Sequence, residues 1–184
     1  MSVTASPNAA ADDLIYFADA TGTIHALQSE DGKLLWQYSL HDDLAKRQNN
    51  QTGDIRIDRL FARSGRKLFS LATEETGASS GHTILFALEA NQLLWFKDAP
   101  SPEPNGSPIA VGDDAIYLAG KDGVLYAFAR NDGRLLWQYQ VSLGTIGAPS
   151  VGADGTIYVT GARRNLHAIN ANGIEKWVTE TKPE

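Results

Sequence analysis

Short apolar runs alternate with turns rich in glycine and aspartate along the chain, and the pattern is clearest between residues 107 and 141. Four apolar runs follow one another there, at residues 108–111, 115–119, 124–129 and 135–141. The residues between them favour the positive φ angles and side-chain caps that tight hairpins need. The segment is therefore predicted to form a four-stranded antiparallel meander.

The predicted third strand of this segment is apolar on both sides. Leu125 and Ala127 fall on one face, and Tyr126 and Phe128 fall on the other. A sheet with two apolar faces must be covered on both of them. Copies of the unit are therefore expected to stack face to face, as the blades of a β-propeller do.

The same unit recurs around each tryptophan of the chain. Each tryptophan lies 8 to 10 residues after an alanine of the predicted third strand, and the second copy is the most divergent. The predicted fold is an all-β propeller of four-stranded antiparallel blades in a single domain, 1–184. The blades are expected at about residues 6–40, 55–96, 107–141 and 148–179.

Three of the repeats resemble a known motif. Residues 26–36, 127–137 and 168–177 are similar to the tryptophan-docking repeat of quinoprotein-like (PQQ-repeat) β-propellers, A-x-D/N-x-x-T-G-x-x-x-W, with Asp-Gly or Asn-Gly in place of Thr-Gly. Eight blades are usual in that superfamily, so the resemblance implies a four-bladed ring or half of an eight-bladed one. It also implies structural docking roles for Trp36, Trp95, Trp137 and Trp177.

The composition argues against several classes of function. The net charge of −6 over 184 residues, with dispersed Lys and Arg, argues against a nucleic-acid footprint. The absence of cysteine excludes disulfides and thiolate metal sites. No apolar run is long enough to span a membrane, and the first residues have no signal-peptide pattern. The location is predicted to be cytoplasmic, or periplasmic or otherwise extracytoplasmic, as the resemblance implies, if the sequence is a trimmed one.

Two polar segments, 41–54 and 73–82, are longer than their counterparts in the other repeats and are predicted to be loops. In an antiparallel meander both would leave the sheet at the same end, together with the basic turn 161–165. Loops on a rigid scaffold often carry binding, although surface insertions also cost little. The candidate binding residues are His41, Asp42, Asp43, Arg47, Asn49, Glu74, Glu75, His82, Arg163 and Arg164.

The side chains suited to chemistry do not form a recognised motif. His41 and His82, with the neighbouring carboxylates, could hold a divalent cation, but their spacing is not that of a metal site. We therefore predict neither a metal site nor a catalytic residue. Quinone-dependent alcohol dehydrogenases of the resembled superfamily carry a vicinal cysteine pair, which this chain lacks.

The sequence thus favours a non-catalytic binding or assembly scaffold without a cofactor, holding a protein, a peptide or a glycan on the loop face, with a protein or peptide as the favoured partner. The alternative implied by the resemblance is a fragment or half-ring of a pyrroloquinoline-quinone-dependent dehydrogenase, with the quinone and Ca²⁺. A homodimer that completes an eight-bladed ring is a further expectation.

Overall fold

The computed structural model describes residues 8–9, 13–48, 53–57, 62–75, 82–100, 109–161 and 165–180. The chain divides into two compact units, residues 1–99 and 100–184, which are taken separately below. Each unit contains two of the predicted blades, numbered one to four along the chain. The prediction of a single domain stays a prediction.

Blade one is an antiparallel sheet in which each strand pairs with the next one along the chain. Its four strands fall within the predicted blade at about residues 6–40. They are β1 (Asn8–Ala9), β2 (Leu14–Ala18), β3 (Thr23–Gln28) and β4 (Leu34–Ser39).

Blade two differs from the predicted meander by an additional strand. A helix, α1 (Leu40–Arg47), follows β4, and both β5 and β6 then pair with β7. The strands are β5 (Asp54–Arg56), β6 (Ala62–Ser64), β7 (Lys67–Glu75), β8 (His82–Glu89) and β9 (Gln92–Asp98).

The second unit contains two further sequential meanders, as predicted. Blade three consists of β10 (Ile109–Val111), β11 (Ala115–Ala119), β12 (Val124–Ala129) and β13 (Leu135–Gln140). Blade four consists of β14 (Ser150–Val151), β15 (Ile157–Thr160), β16 (Asn165–Ile169) and β17 (Glu175–Glu180).

The tryptophans occupy the same register position in all four sheets. Each lies on the last strand of its blade opposite an alanine of the strand before it, and a β-bulge adjoins that pair. Each indole also packs against an aromatic ring of the strand that precedes those two, at centroid distances from 5.7 Å for Tyr117 to 6.2 Å for Phe69. A bulge places one extra residue in a strand, so the residues before and after it point to opposite faces of the sheet.

Blade faces form a hydrophobic core within each unit. In the first unit, Ile24 and Ala26 of blade one pack with Phe86 and Leu88 of blade two. In the second unit, a core of the same kind joins Tyr117 and Leu125 to residues of blade four. Leu125, Tyr126, Ala127 and Phe128 are all buried, which confirms that blade three is covered on both faces.

The described parts of the two predicted loops contain regular structure, and this corrects the sequence analysis. The polar segment 41–54 contains most of α1 and the first residue of β5, and the segment 73–82 contains the end of β7 and the start of β8. The second segment extends a hairpin, so its additional residues pair across the sheet from Thr73↔Thr83 to Glu74↔His82. Residues 58–61, within the predicted blade two, lie outside the described residues, and β6 begins at Ala62.

Candidate functional site

The candidate site is the insertion rim, defined as α1, β5 and the ends of β7 and β8 that extend beyond the other blades. Helix α1 begins there because Ser39 caps it, with the Ser39 hydroxyl accepting a 3.1 Å hydrogen bond from the Asp42 backbone N–H. Asp42 and Asp43 lie in its first turn and Lys46 and Arg47 in its last, which is the favourable order for the helix dipole. A polar sequence therefore forms a stable short helix.

Two leucines fix α1 to the scaffold. Leu40 and Leu44 are fully buried in the core of the first unit, and they lie four residues apart on one face of the helix. Hydrogen bonds to Asp43 also hold the helix in place. Asp43 accepts them from the Tyr38 hydroxyl at 2.5 Å and from Arg47 Nε at 3.1 Å. Burial works to raise the pKa of Asp43, but these two donors outweigh it and the pKa is lowered. Asp43 is therefore held ionised and in place.

Strand β5 is attached to the rim through a buried carboxylate. Asp54, Ile55 and Arg56 pair with the end of β7, and Glu74 accepts a 2.9 Å hydrogen bond from the Gly53 backbone N–H. The His82 ring bridges two carboxylates, with Nδ1 3.4 Å from Glu74 and Nε2 3.0 Å from Asp98. The two polar segments are therefore joined directly, as expected for segments that leave the sheet at the same end.

A cavity of about 480 Å³ opens beside these elements. Its charged and titratable side chains are His41 from α1, Asp54 and Arg56 from β5, and Glu75 from β7, and Arg56 lies 3.9 Å from Glu75. The remaining lining comes from Ala20, Thr21 and Ile55. The described residues of the cavity thus present one guanidinium, one imidazole, two carboxylates and a hydroxyl to a ligand.

The structure divides the predicted binding residues between several places. His41 and Glu75 line this cavity, whereas Asp42, Asp43 and Arg47 line a second cavity with residues of the β8–β9 turn. Glu74 and His82 lie in the ladder that supports the rim. The predicted residues Asn49, Arg163 and Arg164 lie outside the described residues. Thr21, in the turn between β2 and β3, and Asp54 and Arg56 of β5 were not predicted. A three-residue strand such as β5 is too short to show a periodicity.

The described residues do not fit a metal ion. Among them, no group of three or more His, Cys, Asp or Glu side chains has the geometry to hold one. His41 and His82 belong to different parts of the rim, each with its own carboxylate. The described residues therefore provide no ligand set for Ca²⁺.

Comparison with known proteins places the fold. A family model described as outer membrane protein assembly factor BamB matches residues 1–80 and, in a second copy, residues 81–184. The chain belongs to this BamB family. It is a member of the PQQ-like β-propeller superfamily with a four-blade propeller-like fold, as the sequence analysis predicted.

Two solved structures show how far the likeness of this BamB-family chain extends. BamB from Moraxella catarrhalis is 21% identical with a TM-score of 0.66, and the match covers 98% of this chain and 49% of that one. Quinohemoprotein alcohol dehydrogenase from Comamonas testosteroni is 16% identical with a TM-score of 0.64, and the match covers 99% and 35%. The chain therefore spans about half and a third of these proteins, and identities this low establish the fold alone.

Two further searches found nothing. No curated protein matches the sequence. In the part of the chain that the structure describes, no helix is long and apolar enough to cross a membrane.

Proposed function

We propose that this chain is a non-catalytic binding or assembly scaffold that holds a protein or peptide segment on the insertion rim. The observation that carries the proposal is the cavity beside α1 and β5, which gathers His41, Arg56 and Glu75 from three separate elements. Its donors and acceptors suit the backbone and mixed charges of a polypeptide segment. Membership of a family described as an assembly factor supports a protein partner.

The rigidity of the rim also supports binding. Side chains held on a helix and on strands lose less conformational freedom on association than side chains on a loose loop. Leu44 of α1 is fully buried, and Glu74 holds the start of β5 by accepting a hydrogen bond from the Gly53 backbone N–H. The cavity is therefore shaped before a ligand arrives.

The test is quantitative capture by two matched variants. Arg56→Gln removes the guanidinium of the cavity, whereas Lys33→Gln removes an exposed charge from the turn between β3 and β4, at the other end of the strands. The immobilised chain is used to capture proteins from the source cell, and the protein identified is then purified and titrated. We expect Arg56→Gln to weaken the Kd about tenfold or more and Lys33→Gln to leave it unchanged. Equal affinity of both variants would refute the proposed site.

The proposed location is extracytoplasmic, by analogy with the outer-membrane assembly function in the family description. Fractionation of cells that express the protein from its own gene tests this directly. Recovery only with cytosolic markers would contradict it.

A second candidate, a fragment of a quinone-dependent dehydrogenase, is favoured only by the fold likeness to quinohemoprotein alcohol dehydrogenase. Fold likeness is weak support for a shared reaction. Incubation with pyrroloquinoline quinone and Ca²⁺, followed by dialysis and an absorbance spectrum, tests it. Retained quinone at stoichiometric amounts would favour this candidate over the scaffold.

A further inference from the structure

Blade four has an open face that the repeat pattern marks as a docking surface. Within the second unit, the Trp137 side chain of blade three lies against the turn of blade four that contains Gly173. Its indole N–H donates a 2.9 Å hydrogen bond to the Ala171 carbonyl, and a Cβ added at Gly173 would lie 2.7 Å from the indole ring. One blade thus receives the tryptophan of the preceding blade in a glycine turn.

Trp177 is the counterpart of Trp137 in blade four, but no described residue receives it. It has the same register, opposite Ala168, and packs against Tyr158 at 6.0 Å as Trp137 does against Tyr117. Yet 43% of Trp177 is exposed, and among the described residues its N–H has no acceptor.

The bulge of β17 turns Trp177 to the side of the sheet away from blade three. Glu175, before the bulge, accepts a hydrogen bond from the Tyr139 hydroxyl of blade three. Trp177, after the bulge, points to the other face, which also carries the half-buried Tyr158 and Leu166. The free face of blade four is therefore apolar.

Blade one carries the complementary surface. Its turn contains Gly32, the counterpart of Gly173, with a φ of +70° and no atom outside its chain neighbours within 4 Å of the position of an added Cβ. The adjoining face has half-buried Ile15, Phe17 and Leu27. They align with Ile157, Val159 and Ile169, which form the face of blade four that packs in the core with blade three.

We infer that a second copy of this chain docks here, with Trp177 of one copy entering the Gly32 turn of the other. Two copies related by a two-fold axis make this contact twice. This inference does not depend on the insertion rim or on its ligand.

The first test is the mass of the chain in solution, measured by light scattering across a micromolar concentration series. We expect a dimer of twice 19.9 kDa for the unmodified chain. Trp177→Ala removes the docking side chain, and Gly32→Asn fills the receiving turn with a residue that tolerates a positive φ. Each variant is expected to weaken dimerisation about 100-fold, the effect of losing a buried interface tryptophan.

Leu143→Ser is the matched control, because it removes an apolar side chain that is 91% exposed from the same unit. It is expected to leave the dimer unchanged. Circular dichroism checks that every variant keeps its β structure.

Mixing the two docking variants separates this contact from any other dimer interface. A mixture retains one intact contact, Trp177 of the Gly32→Asn copy on Gly32 of the Trp177→Ala copy, so some dimer should return. A monomer at every concentration would overturn the inference. So would a dimer that Trp177→Ala and Leu143→Ser affect equally, or a mixture that behaves as the sum of its parts.

Discussion

The contact between Trp137 and Gly173 allows a prediction in which two nearly identical substitutions should differ. Gly173 and Gly155 both lie in turns of blade four with positive φ, +82° and +74°. An added Cβ at Gly173 would lie 2.7 Å from the Trp137 ring, whereas a Cβ at Gly155 would have no contact within 4 Å. Gly155→Ala therefore measures the backbone cost alone, and Gly173→Ala adds the loss of tryptophan packing.

The magnitudes follow from these two costs. An alanine held in the left-handed region costs about 1–2 kcal/mol, and this applies to both variants. Forcing a methyl group into a packed contact costs about 1–3 kcal/mol more, and this applies only to Gly173→Ala. The free energy of unfolding, measured by urea titration with circular dichroism, should therefore be lower for Gly173→Ala by about 1–3 kcal/mol relative to Gly155→Ala.

A double variant identifies the source of the difference. If the added methyl group acts through the indole, Gly173→Ala should cost less in a Trp137→Ala background, because the obstructing ring is absent. Equal stability of the two single variants would refute the proposed clash. An undiminished cost of Gly173→Ala in the double variant would assign the effect to the backbone instead.

Two further predictions concern the first unit. Ser39→Ala removes the cap of α1 and should lower the free energy of unfolding by about 1 kcal/mol in a urea titration, and an unchanged midpoint would show that the helix does not depend on the cap. Burial works to raise the pKa of Asp19, but hydrogen bonds from Thr21, His25 and the backbone lower it from 3.8 to about 2. Because its folded pKa is below the unfolded value, Asp19 should stabilise the fold above pH 3.8 and lose this contribution as the pH falls toward 2. Asp19→Asn should remove about 2 kcal/mol at neutral pH and flatten the acid limb of the pH–stability curve, and an unaltered acid limb in that variant would contradict the assignment.

The regular parts of the fold were readable from the sequence because local signals agreed with one another. In blade three, glycine and aspartate turns limit each apolar run, and the Ala127↔Trp137 pair recurs in the other repeats. These signals depend on nearest neighbours, so they survive without knowledge of the tertiary structure. The chain reverses direction at each hairpin, and this predicted that the two polar segments leave the sheet at the same end. His41 and Glu75, one from each segment, indeed line one cavity.

The insertion rim was harder to predict because tertiary contacts determine it. Helix α1 has only Leu40 and Leu44 at helical spacing, too few for a periodic pattern, and its stability comes from their burial. Ser39 as cap, with acidic residues first and basic residues last, was the available signal for this helix. Strand β5 had no such signal, since its pairing depends on the extended end of β7 and on Glu74.

The bulge in the last strand of each blade has a consequence for how such chains lengthen by gene duplication. Because it sends the residues on either side of it in opposite directions, blade four contacts blade three through Glu175, whereas Trp177 points to the other face of the sheet. A duplication that copies a whole blade therefore copies the side chains on both of its faces. The number of units can change in one genetic event without any redesign of the joints between them.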